Sequence, residues 1–129
     1  MIEVLVAITI LAVVFLGLVA IYPFGLSVTG SAKKETVASF LAQRELEELR
    51  NKGYEDIGEG VIESKHRLST EESDYRYDYK RRTEVDYLDT DLTATSTDTG
   101  LKRISTTVYY LNDISKKEEE YTLNTLLNK

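Results

Sequence analysis

The 129 residues suffice for one modest domain, and the formal net charge of −6 argues against a nucleic-acid partner, which needs clustered Lys and Arg to neutralise phosphates. The absence of cysteine excludes disulfides, thiolate metal sites and cysteine nucleophiles, and a single His66 leaves few groups for catalysis. Charge is distributed unevenly: no charged side chain occurs from Val4 to Phe24, whereas the rest of the chain carries almost every Asp, Glu, Lys and Arg. That division predicts two environments, a hydrophobic segment over 1–30 and a water-exposed domain over 31–129.

The run VLVAITILAVVFLGLVAIYPFGL is long enough to cross a bilayer core, which takes ~20 apolar residues as helix. It is apolar all round, unlike the one-sided stripe of a surface helix. A secretory signal peptide would show a basic leader, a shorter apolar core and a small-residue cleavage site, and nothing basic precedes this run. Glu3 stands at its mouth. It can sit at the headgroup level, or it can lie within the apolar layer and meet a cation there, since charges at that depth are costly unless paired. Lys33 and Lys34 follow the span, so the positive-inside rule taken alone places the C-terminal domain in the cytoplasm; a basic segment upstream of Met1 would reverse that orientation.

The stretch Ile2-Glu3-Val4-Leu5-Val6-Ala7 followed by an apolar helix resembles the N-terminal motif of type IV pilins and type II secretion pseudopilins. The chain matches the family pattern from the isoleucine onward, with Met1 where leucine usually stands. The resemblance implies a basic leader ending in glycine upstream, cut by a peptidase, and a methylated new N-terminus. It implies that Glu3 is the assembly residue, pairing with the N-terminal ammonium of a neighbouring subunit, while Val4, Leu5, Ile8, Leu11, Val14, Phe15 and Leu18 form the membrane and filament-core helix. It further implies the lipid bilayer as the first environment, other pilin or pseudopilin subunits as partners, and a membrane platform protein and assembly ATPase as the machinery. The expected location is the bacterial inner membrane, single-pass with the C-terminal domain extracytoplasmic, and then the filament.

Pro23, with Gly25 and Gly30 near it, predicts a helix kink or fraying over Tyr22 to Gly30, because proline removes a backbone donor and crowds the preceding turn. A second helix is predicted over 31–52. Ser31 is a plausible N-cap, Val37, Ala38, Leu41, Ala42, Leu46 and Leu49 make a helical stripe, Glu48 and Lys52 are spaced for an i,i+4 pair, and Gly53 is a C-cap signal. The segment LAQRELEELR is similar to one found in many minor pilins and I-type pseudopilins. Residues 53–74 read as a loop with room for a short helix or strand. Antiparallel strands are predicted within 75–127: Tyr75, Tyr77 and Tyr79 alternate with charged residues toward Tyr87, then Leu101 to Leu111 places Ile104, Thr106, Val108 and Tyr110 on one face. After a turn at 112–117, Tyr121, Leu123, Thr125 and Leu127 share a face. The expected fold is α+β, a long kinked helix packed on a three- or four-stranded antiparallel sheet, as in pilins.

Asp86, Asp89, Asp91 and Asp98 could offer calcium an oxygen-rich loop, but the EF-hand spacing is absent and a solvated acidic loop is the default. The basic groups at Lys80-Arg81-Arg82 and Lys102-Arg103 read as solvated strand positions, and His66 as an exposed residue without a role. No nucleophile–base set, phosphate loop or paired acid site stands out, so an enzyme is not expected. The functional readings are a filament subunit, a single-span membrane protein whose small outer domain binds a ligand or protein without polymerising, and a secreted protein with its signal still attached.

Overall fold

The computed structural model describes residues 1–129. A single helix, α1, runs from Ile2 to Lys52 and is followed by β1 (Gly60–Arg67), a 3-10 turn (Tyr75–Asp78), β2 (Lys80–Leu88), the two-residue β3 (Ala94–Thr95), β4 (Leu101–Leu111) and β5 (Glu118–Asn128). The strands form one antiparallel sheet in the order β1-β2-β4-β5, with β3 pairing on β2. The expected α+β architecture is therefore present, with four principal strands.

The stripe on the second half of α1 is the core-facing surface. Ala38, Leu41 and Ala42 pack with Tyr79, Val108 and Tyr110 in one buried cluster, small helix residues facing large rings. One turn further on, Leu46 and Leu49 pack with Ile57, Val85 and Ile104. Side chains alternate across a strand, so β4 buries Lys102, Ile104, Thr106, Val108 and Tyr110 and leaves the intervening residues partly exposed. Ser31 and Lys34 meet Asn112 and Asp113, while Leu46 and Leu49 meet Ile104. Thus α1 runs against β4 and along β5, and its first thirty residues leave the domain past the β4–β5 turn.

Several local expectations are corrected. The expected long helix is present as one element of 51 residues, but its two halves join without a break through Pro23 and Gly30, so 22–30 does not fray and Ser31 does not begin a new helix. Ser31 is a mid-helix residue with only 8% exposure, and its hydroxyl bonds the turn between β4 and β5 instead of capping. Glu48 pairs with Arg44 at 3.0 Å rather than with Lys52. Gly53 does end the helix, at φ 85°, where a side chain would be strained.

The region 53–74 contains β1. Its ladder with β2 shifts register between Val61 and Glu63 and again between Glu63 and His66. Two bulges break the period of two, which is why these residues read as a loop. Conversely, Tyr75–Asp78 is a 3-10 turn and not strand. Asp74 caps it by accepting from the Arg76 N–H at 2.9 Å, and its carboxylate also grips the Arg76 guanidinium at 2.6 Å. These bonds hold the Asp74 carboxyl down at about 2.

Candidate functional site

The first part of α1 is the outstanding surface of the molecule. Its apolar side chains from Ile2 to Phe24 are exposed, and this helix is long and apolar enough to cross a membrane. Val4, Leu5, Ile8, Leu11, Val14, Phe15 and Leu18 are all solvent-facing, with no part of the domain covering them. Thr9, Ser27 and Thr29 return their hydroxyl protons to the carbonyls of Leu5, Pro23 and Gly25, four residues back, at 2.7, 3.2 and 3.0 Å. Every Ser and Thr hydroxyl of this stretch is thereby satisfied within the helix, which suits an environment without water.

Glu3 lies in the first turn, where the helix dipole favours a carboxylate. No cation of the chain pairs with it. Nineteen positions on, Tyr22 is the first residue of the arm with a polar ring substituent; at ~1.5 Å per residue the two are roughly 28 Å apart, close to the ~30 Å of a hydrocarbon core. Tyrosines concentrate at membrane interfaces because one end is apolar and the other takes up water bonds. The uncharged stretch nevertheless continues to Ala32.

A clamp holds the arm where it leaves the domain. The Ser31 hydroxyl donates to Asn112 Oδ1 at 3.1 Å and accepts from the Asp113 N–H at 3.1 Å. Lys34 Nζ binds Asp113 Oδ1 at 2.7 Å and the Leu111 carbonyl at 3.2 Å. Asn112 Oδ1 also accepts from the Ile114 and Ser115 N–H groups, so the same side chain shapes the turn and receives the helix. Gly30 leaves room beside it, because a Cβ there would lie 2.8 Å from Asp113 Oδ2 and push that carboxylate aside. The bond from Lys34 holds the Asp113 carboxyl below the usual range. Sequence reading missed this clamp because its two halves lie about eighty residues apart.

Two charged side chains expected in solvent are structural. Lys102 is 3% exposed; its ammonium donates to the Tyr54 and Ile57 carbonyls at 2.7 Å each and lies 3.9 Å from the Tyr54 ring centre. Arg81 forks onto Glu63 at 2.6 and 2.8 Å and reaches Glu45 of α1 at 2.7 Å. Burial alone would raise the Glu63 carboxyl, but the bonds from Arg81 bring it below its ordinary value. Glu45, with one contact to the same guanidinium, is raised by its burial. Lys80, Arg82 and Arg103 do lie at partly exposed positions. His66 is exposed, 3.3 Å from Glu63.

The four aspartates do not converge. Asp86 pairs with Arg103 at 2.7 Å, Asp89 caps the Thr90 N–H at 2.6 Å, Asp91 is exposed, and Asp98 accepts from the Tyr54 hydroxyl and from the Gly100 N–H. No three acidic or imidazole groups approach closely enough to hold a metal ion. No protein-family model, curated protein or solved structure matches this chain.

Proposed function

We propose that this chain is a structural subunit, a minor pilin or pseudopilin, of a type IV pilus, type II secretion or DNA-uptake filament, assembling through its N-terminal helix. The observation that carries the reading is Glu3, the one charge on an otherwise apolar and uncovered arm, with no partner inside the chain. In an apolar layer such a carboxylate favours pairing with a cation brought by a neighbour, and the N-terminal ammonium of an adjacent subunit would meet it there. Before assembly the arm sits in the inner membrane with the domain on the extracytoplasmic side. A platform protein and an ATPase then draw it from lipid into a helix bundle.

The length of the arm favours polymerisation over a simple anchor. From Val4 to Ala32 the uncharged helix measures roughly 43 Å, against ~30 Å for a bilayer core. A lone anchor sets the surplus, with Phe24, Leu26 and Val28, among polar headgroups or takes it up by tilting, whereas a bundle of arms buries it against apolar neighbours. Glu3→Ala should leave membrane insertion intact and cut incorporation into filaments at least tenfold, measured by comparing membrane and sheared-filament fractions. Unchanged incorporation would remove the assigned role.

A further inference from the structure

The two edges of the sheet are built differently. β5 pairs with β4 without interruption from Leu101↔Asn128 to Leu111↔Glu118, and nothing pairs with its other side. The bonds Lys129 N–H to the Gly100 carbonyl and Asn112 N–H to the Lys117 carbonyl, both 2.9 Å, set the ladder's alternation. Odd-numbered β5 residues bond β4, and the even-numbered ones, Glu118 to Asn128, turn their N–H and C=O groups to the open side. From Tyr121 to Asn128 this edge has no charge, no proline and no bulge. An edge so unprotected invites another strand.

At the opposite edge, the Leu68 N–H bonds the Tyr79 carbonyl at 3.0 Å, so residues opposite odd β2 positions bond inward. Val61, opposite Glu84, and Arg67, opposite Lys80, therefore turn their backbone groups outward. Following the registers across the sheet, Val61 is level with Glu84, Ser105 and Asn124, and Arg67 is level with Lys80, Tyr109 and Glu120. Val61 and Ile62 are exposed apolar residues, at 49% and 46%. Arg67 and Glu120 both lack an ion-pair partner within the chain, Arg67 resting only against the Tyr77 ring.

We propose that the open β5 edge of one copy accepts the β1 edge of a second copy in antiparallel register, placing Asn124 opposite Val61 and Glu120 opposite Arg67. Three ways of joining sheets through β5 can be compared. Antiparallel β5–β5 pairing points the two arms in opposite directions, which a shared membrane forbids. Parallel β5–β5 pairing sets Glu118–Glu120 beside its own copy, acid against acid. The β5–β1 arrangement keeps both arms in one direction, brings a free cation to a free carboxylate, and joins residues whose backbone groups both face outward. The bulges around Glu63 divide the new ladder into two short stretches, one at Val61 and one at Arg67. Because the contact is head-to-tail, each copy keeps a free β5 or β1 edge after pairing and a third copy can add to it.

The pairing rests on the membrane-anchored part of the proposed function, in that neighbouring arms must enter one membrane in the same direction, but it does not need Glu3. The chain has no cysteine, so Val61→Cys combined with Asn124→Cys in the full-length membrane-inserted protein is a direct probe. Mild oxidation is expected to give a ladder of covalent dimers, trimers and higher species, with each single variant remaining monomeric. Dimers from Asn124→Cys alone would place two β5 edges together and overturn the proposal, as would absence of any ladder. Arg67→Glu or Glu120→Arg should each lower linking roughly two- to fivefold, the scale of an exposed ion pair, and the exchanged pair Arg67→Glu/Glu120→Arg should restore it. Failure of that restoration also counts against the contact. Linking should persist in Glu3→Ala even where that change stops filament incorporation; loss of both together would make the edge contact a by-product of helix assembly and overturn it as an independent one.

Discussion

Lys102 shows how a charge can belong to a core this small. Two carbonyls from the segment after α1 and the face of the Tyr54 ring replace the water its ammonium gives up. Tyr54 is held in turn by its bond to Asp98; burial first, and then that carboxylate, push the tyrosine hydroxyl up to about 12. Removing the ammonium strands the Tyr54 and Ile57 carbonyls, each at about 1–3 kcal/mol for a buried unpaired group. Lys102→Ala should therefore lower the unfolding free energy by about 2–4 kcal/mol in a urea titration of the detergent-solubilised protein. Lys102→Met, which restores volume without the donor, should recover only part of the loss. An unchanged midpoint in both would show that Lys102 is dispensable to the core. Neither this role nor the Glu45–Arg81–Glu63 set was legible in the sequence, since each residue's partners lie eighteen to forty-eight positions away and nothing local announces the pairing.

At the scale of elements, the β4–β5 turn determines how the arm is presented. A rigid arm needs a fixed exit angle, and Ser31, Lys34, Asn112 and Asp113 supply it with one ion pair and a set of hydrogen bonds. The Asp113 carboxyl is depressed in the folded state by Lys34, so its contribution is fully present above the unfolded aspartate value near ~4 and is lost as pH falls through the lower folded value. Amide exchange across 112–117, corrected for intrinsic rates, should lose protection on acidification below about pH 4. Asp113→Asn should show that loss already at neutral pH. Protection unaffected by either would mean the turn holds without its ion pair. The amphipathic half of α1, β4 and β5 were readable because each turns one regular face inward: Val37 to Leu49 at helical spacing, Ile104 to Tyr110 buried and Tyr121 to Leu127 half-buried at every second position. The exceptions have local causes. Bulges erased the alternation of β1, and the Asp74–Arg76 bonds turned an alternating Tyr run into a 3-10 turn. Ser31 has the chemistry of a cap, but unbroken helix through Gly30 gave its hydroxyl to the turn instead.

At the scale of the whole molecule, arm and domain divide the work by solvent. The domain keeps its apolar stripe against the sheet, while the arm keeps none of its apolar surface for itself. If α1 spans a membrane as proposed, Val4 to Ile21 has about the thickness of the hydrocarbon core, and the further roughly 13 Å from Pro23 to Ala32 reaches into the headgroup layer, so the two parts would meet different surroundings. Charges placed in the two parts should therefore act differently. Leu11→Lys falls near the middle of the span, where a charge costs several kcal/mol, and should reduce stable membrane insertion. Leu26→Lys falls beyond Tyr22, in the headgroup region or outside it, and should insert normally. In the proposed bundle the same lysine would be buried against neighbouring arms without a partner, so Leu26→Lys should enter the membrane at wild-type levels and be depleted at least tenfold from filaments. Alkaline extraction of membranes and the sheared-filament fraction measure the two steps separately. Wild-type incorporation of Leu26→Lys would mean that the upper part of the arm stays exposed, and that the length of the helix serves reach and not packing.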